Sequence, residues 1–159
     1  MEKCRMISID SSTKKSAYAI FDNGIYIESS LIDCQNNDMD DRLKNMSLNL
    51  LYILFEKKPD IIYIEDTVVP RNVQTQRFLT RLQGVIYGYC IINDCEFNTI
   101  RPTEWRRLVG IEQGKKNRDE LKEEAIKLVK KDFNLDVNDD EAESILIGLA
   151  AIKKYNPEE

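Results

Sequence analysis

The side chains equipped for chemistry in this sequence are acidic, and they recur at three separated places. Asp10 closes the run Arg-Met-Ile-Ser-Ile-Asp, Glu65 closes the apolar run Ile61-Ile62-Tyr63-Ile64, and Asp140 and Glu143 open a helical pattern three residues apart. A spacing of three puts the last two on one helical face. The chain contains no histidine. That removes Ser-His-Asp and Cys-His catalysis, and histidine as a general base. Acid–base or metal chemistry must then come mainly from carboxylates, and oxygen-only sites favour Mg²⁺ or Mn²⁺. Carboxylates crowded into one site repel one another unless cations sit between them. Two Mg²⁺ ions about 4 Å apart would answer that repulsion and would also suit phosphodiester hydrolysis, one activating water and the other stabilising the leaving 3′ oxygen.

Each acid also has a plainer reading. Asp10-Ser11-Ser12 suits a turn, and Glu65-Asp66 suits a solvated strand end. Asn138-x-x-Glu141 fits a helix capping box. Asp139, Asp140 and Glu143 suit the positive end of a helix dipole. The residues leave open whether Asp139 or Asp140 would hold metal. The combination of acids, in this order, is what favours a site.

Hydrophobic periodicity supplies the elements that must carry these acids. Arg5–Asp10 reads as a strand with Ile7 and Ile9 on one face and Met6, Ser8 and Asp10 on the other. Residues 16–21 form a second strand, Asn23-Gly24 a hairpin turn, and residues 25–31 a third strand. Residues 40–57 have helical spacing, ended by Pro59. Residues 61–64 are apolar throughout, as in a central strand covered on both faces. Pro70 to Gln74 is a loop, and a helix follows over 75–93, with Phe78, Leu82, Val85, Ile86 and Tyr89 on one face. Residues 96–100 form a fifth strand. Pro102 starts a short helix that stops near Gly110, and 112–116 is a polar loop. Helices cover 117–131 and 138–154. The order βββαβαβ followed by helices is an α/β pattern, in one domain spanning 1–159. Strands 1–3 are expected to be antiparallel neighbours. Strands 4 and 5, reached by helical crossovers, are expected to run parallel to strand 1. If strands 1 and 4 are adjacent, Asp10 and Glu65 stand side by side at the carboxyl edge of the sheet, where ligand sites gather in α/β folds.

Composition excludes several classes. Apolar residues make up 42% of the 159, enough for an ordinary core. No apolar stretch is long enough to span a membrane, and the N-terminus lacks a signal-peptide layout. The expectation is a cytoplasmic protein without a membrane partner. Cys4, Cys34, Cys90 and Cys95 form no Cys-x-x-Cys pair; reduced thiols are expected, and a zinc site is not. The net charge of -5 conceals an uneven distribution. Residues 67–131 hold 13 Lys/Arg against 8 Asp/Glu, whereas 1–66 hold 8 against 12 and 132–159 hold 2 against 8. A basic middle between acidic ends can set a positive face beside a carboxylate cluster, although charged helix faces also vary without function.

In these motifs the sequence resembles the RuvC family of Holliday junction resolvases. Ile9-Asp10-Ser11-Ser12 followed by Ala17-Tyr18-Ala19-Ile20 is similar to the family's opening strand, turn and second strand. Ile64-Glu65, Arg71-Asn72 and Gln83-Gly84 resemble its glutamate motif and the helix after it. The stretch from Arg101 to Gly110 resembles the segment leading into the family's basic loop. Gly114-Lys115-Lys116-Asn117-Arg118-Asp119-Glu120-Leu121 resembles that loop and the next helix start, and Asp140-Glu141-Ala142-Glu143-Ser144 the last acidic motif. The resemblance covers nearly the whole chain. It implies an RNase H-like fold: a mixed five-stranded sheet, three strands antiparallel and two added in parallel by helical crossovers, flanked by helices. It also implies a homodimer that grips a four-way junction in branched DNA and nicks two strands. Asp10, Glu65, Asp140 and Glu143 would then be the catalytic residues and the ligands of Mg²⁺ or Mn²⁺, two ions per site. Arg71, Asn72, Arg77, Lys115, Lys116, Arg118 and Lys122 would hold DNA phosphates, Arg118 also stabilising charge on the scissile phosphate.

The sequence departs from bacterial members in three places. Glu143 stands where aspartate is usual, Thr67-Val68-Val69-Pro70 where an aromatic residue often helps open the junction, and Ser11-Ser12-Thr13 in a turn commonly richer in glycine. A divergent or phage branch, working in a host cytoplasm, fits these differences. Two other readings remain: an RNase H-like nuclease of hybrid or unbranched nucleic acid, and a non-catalytic binder of branched DNA with the same fold. A sugar-kinase-like ATP site would need a glycine-rich phosphate loop, which six glycines in the whole chain do not form.

Overall fold

The computed structural model describes residues 4–67 and 72–155. The chain order is β1 (Arg5–Asp10), β2 (Lys15–Asp22), β3 (Ile25–Asp33), α1 (Met39–Lys57), β4 (Ile61–Glu65), α2 (Val73–Ile92), β5 (Glu96–Ile100), α3 (Pro102–Leu108), α4 (Arg118–Phe133) and α5 (Asp139–Tyr155). The sheet runs β3-β2-β1-β4-β5. β1 is antiparallel to β2 and parallel to β4, and β5 is parallel to β4. This is the mixed sheet expected, with boundaries displaced by at most two residues.

Local chemistry explains the boundaries. Asn23 and Gly24 both take positive φ, 51° and 80°, the backbone that a tight hairpin between twisted strands requires. The Asp38 side chain accepts from the Asp41 N–H to start α1, and Lys58 closes it at φ 51 just before Pro59. The Asn72 side chain accepts from the Gln74 and Thr75 N–H groups, so α2 begins two residues earlier than periodicity alone suggests. Pro102 opens α3, where its missing N–H costs nothing.

The strands alternate as their sequences do, and two cores result. Ile7, Ile9, Tyr18, Ile20, Ile62 and Ile64 face α1 and α2, meeting Met46, Leu50, Leu54, Leu82, Ile86 and Tyr89. Met6, Ala19, Phe21 and Tyr63 face α3, α4 and α5, meeting Trp105, Ala125, Val129, Ile145 and Leu146. The Phe78, Leu82, Ile86 and Tyr89 stripe of α2 is buried, so it serves the core.

α5 lies close on the sheet because its contact residues are small. A Cβ on Gly148 would stand 2.2 Å from the Phe21 ring and 2.7 Å from Ser8 Oγ. Ser8 Oγ donates to the Ser144 carbonyl at 2.6 Å, pinning the N-terminal half of α5 over β1. The thiols are free, with Cys34, Cys90 and Cys95 buried and Cys4 exposed. Among the described residues no helix is long and apolar enough to cross a membrane.

Candidate active site

Two parallel strands, one helix start and one short helix build the site. Ile9 pairs with Ile64 across β1 and β4, so the next residues, Asp10 and Glu65, end neighbouring strands together. α5 crosses β1 in the register that Ser8 and Ser144 fix, and its first turn delivers Asp140 and Glu143 to the same edge. All four acids line one cleft of about 830 Å³, with Ser11, Thr13, Lys14, Lys15, Arg42, Thr75, Arg106, Arg118 and Lys122 on its walls.

The acids that open α5 divide by direction. Asp139 leaves the cleft to pair with Lys122 Nζ at 2.7 Å, which holds its carboxyl below the usual range. Glu141 turns to β3, accepting from Ser29 Oγ at 2.6 Å. Its backbone N–H donates to the Asn138 side chain at 2.8 Å, so the capping box expected here forms on one side only. Asp140 and Glu143 remain on the cleft face.

Burial and mutual repulsion govern the electrostatics. Removal from water pushes Asp10 well up, and the nearby Glu65, Glu143 and Asp140 push it further. Glu143 is only 9% exposed; burial first, then the Glu65 charge, raise its carboxyl to about 7. Glu65 is also raised by burial, opposed by a hydrogen bond from Trp105 and by Arg106 and Arg118. Asp140 is raised by burial and then by Asp139, against Lys122, Lys15 and Arg118. Such a group favours protons or cations. Among the described residues no three potential ligands are already arranged around one point as a bound ion needs. Asp10 and Glu143 instead stand close together, and that proximity adds to the rise of the Asp10 carboxyl. The donor set, four carboxylates and no nitrogen or sulfur, fits a hard divalent cation.

The basic residues named from the sequence separate into two groups. Arg118 and Lys122 line the cleft. Lys115 and Lys116 lie beyond its walls in the turn before α4, and Lys116 pairs with Glu124 at 3.4 Å. Arg77 is exposed on α2, and Asn72 is exposed while capping that helix. Arg71 and the 68–70 part of the preceding loop lie outside the described residues. Sequence reasoning missed Lys14, Lys15, Arg42, Trp105 and Arg106 as site residues. Trp105 Nε1 donates to Glu65 Oε2 at 2.7 Å, and the Arg106 guanidinium stacks 4.9 Å from the Trp105 ring centroid. The only signal was that the chain's single tryptophan sits between charged residues in a segment already singled out.

The family model described as crossover junction endodeoxyribonuclease RuvC matches residues 6–146. No curated protein matches the chain. Three of the solved structures that share the fold illustrate the likeness. Thermus thermophilus RuvC in complex with Holliday junction substrate superposes with a TM-score of 0.73 at 10% identity, covering 96% of each chain. Fowlpox virus resolvase, in complex with its substrate Holliday junction DNA, gives 0.63 at 17% identity, covering 95% of this chain and 98% of its own. The yeast mitochondrial Holliday junction resolvase gives 0.62 at 18% identity, covering 92% and 77%.

Proposed function

The chain belongs to the crossover junction endodeoxyribonuclease RuvC family, and from that premise we propose that it hydrolyses phosphodiester bonds in Holliday junctions and related branched DNA. The observation that carries this reading is the convergence of Asp10, Glu65, Asp140 and Glu143 in one cleft, where their raised carboxyls leave negative charge that only a cation can balance while they are ionised. These four would hold divalent cations, Mg²⁺ or Mn²⁺, two per site. When bound, such ions lower the pKa of an attacking water and stabilise the leaving 3′ oxygen. The chain's own residues do the rest. Asp10 and Glu65 are held by the paired ends of β1 and β4, so their spacing does not depend on a loop. Arg118 and Arg106 on the cleft wall balance the charge of the scissile phosphate. Lys115 and Lys116 extend positive charge beyond the cleft along a bound strand, and Arg77 does so from α2; the neutral Asn72 amide and Arg71 are the further DNA contacts that the family resemblance implies.

The active unit is a twofold dimer in this reading, because cutting a junction symmetrically needs two matched sites. Leu48, Tyr52 and Phe55 on α1 and Tyr87, Ile91 and Ile92 on α2 are exposed, which supports an interface on that side of the molecule. Light scattering that shows only monomer at micromolar concentration, alone and on a junction, would count against the dimer. The decisive assay offers a synthetic four-way junction, an RNA–DNA hybrid and a linear duplex with Mg²⁺ or Mn²⁺. Paired nicks in the junction alone are the expected result. Preferential cutting of the hybrid would move the chain to ribonuclease chemistry, and binding without cutting would make it a junction binder.

A further inference from the structure

We infer that Trp105 is a positioning residue, whose indole N–H holds Glu65 as a one-oxygen ligand for a divalent cation; this rests on the endonuclease reading of the same cleft. Trp105 is fully buried, yet its polar edge is turned toward the acids rather than away from them. Nε1 donates to Oε2 of Glu65 at 2.7 Å, the short end of the range for an N–H donor. Among the described residues this is the hydrogen bond that the Glu65 carboxylate receives. The Glu65 backbone carbonyl is held separately, accepting from Gln83 Nε2 at 3.0 Å. Glutamate has three side-chain torsions, so a strand end alone does not determine where its oxygens lie. With one oxygen bound to the indole, rotation about the carboxylate is blocked and the other oxygen is left for a cation.

The indole is itself well fixed. α3 follows β5 directly, and β5 is the neighbour of β4, with Ile100 paired to Glu65. The chain therefore turns back over Glu65 as soon as β5 ends, and Pro102 begins the helix that carries the ring. Arg106 lies over the outer face of that ring at 4.9 Å. Its Nε is buried without a hydrogen-bond partner. A buried indole N–H takes a partner wherever it packs; what sets this one apart is that the partner is a carboxylate oxygen of the cleft. Groups that orient metal ligands in this way typically contribute about ten-fold or more to metal affinity.

The test separates the N–H from the ring. Trp105→Phe keeps an aromatic side chain in the core and removes the donor. Calorimetric titration with Ca²⁺ alone is expected to show about ten-fold weaker binding, and half-maximal junction cleavage to need correspondingly more Mg²⁺. Conversely, Ca²⁺ affinity and Mg²⁺ requirement equal to the native protein's overturn the inference and leave the nuclease reading standing. The native protein supplies a second measurement that needs no folded Trp105 variant. Trp105 is the chain's only tryptophan, so its emission should change saturably with Ca²⁺, and Asp10→Asn should shift that response to much higher Ca²⁺. Emission that ignores Ca²⁺ while calorimetry records binding overturns the inference. A native protein that binds no divalent cation and cuts no junction overturns the nuclease reading, and this inference with it.

Discussion

The two faces of the sheet are built to different standards. Against α1 and α2 the strands present Ile7, Ile9, Ile20, Ile62 and Ile64, all essentially without exposure, and the helices answer with Met46, Leu50, Leu54, Leu82 and Ile86. On the α5 side the same strands present Ser8, Asp10 and Glu65, and the helix presents Ser144 and Glu143. The first face is a dry layer that tolerates no charge. The second admits polar groups only where each has a partner, as Ser8 has Ser144, or where a ligand is to neutralise them. Alternation along β1 and β4 makes this division possible, because neighbouring residues of one strand point to opposite layers. One side of this strand pair is thus apolar throughout, while the other combines an apolar core with the polar groups of the cleft at its carboxyl end.

Substitutions on the two faces should fail in opposite ways. Asp10→Asn is expected to lower junction cleavage by several orders of magnitude. Its melting temperature in metal-free buffer should stay level or rise, because one repelling charge is gone. Its metal-free junction binding should be at least as tight as the native protein's. Leu50→Ala, on the dry face, should cost about 2–5 kcal/mol of stability, measured by urea unfolding, and leave the cleavage rate of the folded fraction intact. Full nuclease activity in purified Asp10→Asn would remove the carboxylates from the mechanism.

Gly148→Ala probes the boundary between the faces. The added methyl would collide with Phe21 and Ser8, so a loss of about 1–3 kcal/mol is expected from overpacking. Because α5 carries Asp140 and Glu143, its displacement should also reduce cleavage in the fraction that remains folded. A variant as active per folded molecule as the native protein would mean that the acids do not depend on the seat of α5.

The polar face also predicts a pH dependence. Asp10, Glu65 and Glu143 have folded-state pKa values above those of the unfolded chain, Glu143 at about 7. The folded state then binds more protons than the unfolded one across the interval between the two values. Metal-free stability should be fullest below the unfolded carboxylate value of about 4 as far as these groups are concerned, and should fall as pH rises through about 7. Excess Mg²⁺ should flatten that decline, since it replaces the protons. Melting curves from pH 5 to 8, with and without Mg²⁺, test this; a metal-free protein that gains stability over that range refutes it.

The smallest effect concerns basic side chains, Lys115 and Lys116 beyond the cleft and Arg118 on its wall. Replacing Lys115, Lys116 and Arg118 with alanine should weaken junction binding and flatten the salt dependence by up to about three phosphate contacts. Since Lys116 already pairs with Glu124, its share should be the least. An unchanged salt slope in the triple variant would place the DNA path elsewhere, with Lys14, Lys15 and Arg42 on the cleft wall the next residues to test.

Periodicity and caps are local properties, so the strands, the helices and their order were open to reading from the sequence itself. The four cleft acids were too, because each ends a strand or opens a helix, and strand ends gather wherever parallel strands pair. Local pattern could not tell Asp139 from Asp140. Both open α5, and only packing against α4 turns Asp139 to Lys122 while Asp140 stays on the cleft. Nor could it find the bond between Trp105 and Glu65, which lie forty residues apart and meet because β5 pairs with β4 and α3 folds back from its end. Side-chain type, spacing and the absence of histidine determined the kind of chemistry available. The direction of each carboxylate and the identity of its neutralising partner were decided by tertiary contact, because a side chain's orientation is settled by what stands across from it rather than by what precedes it in the chain.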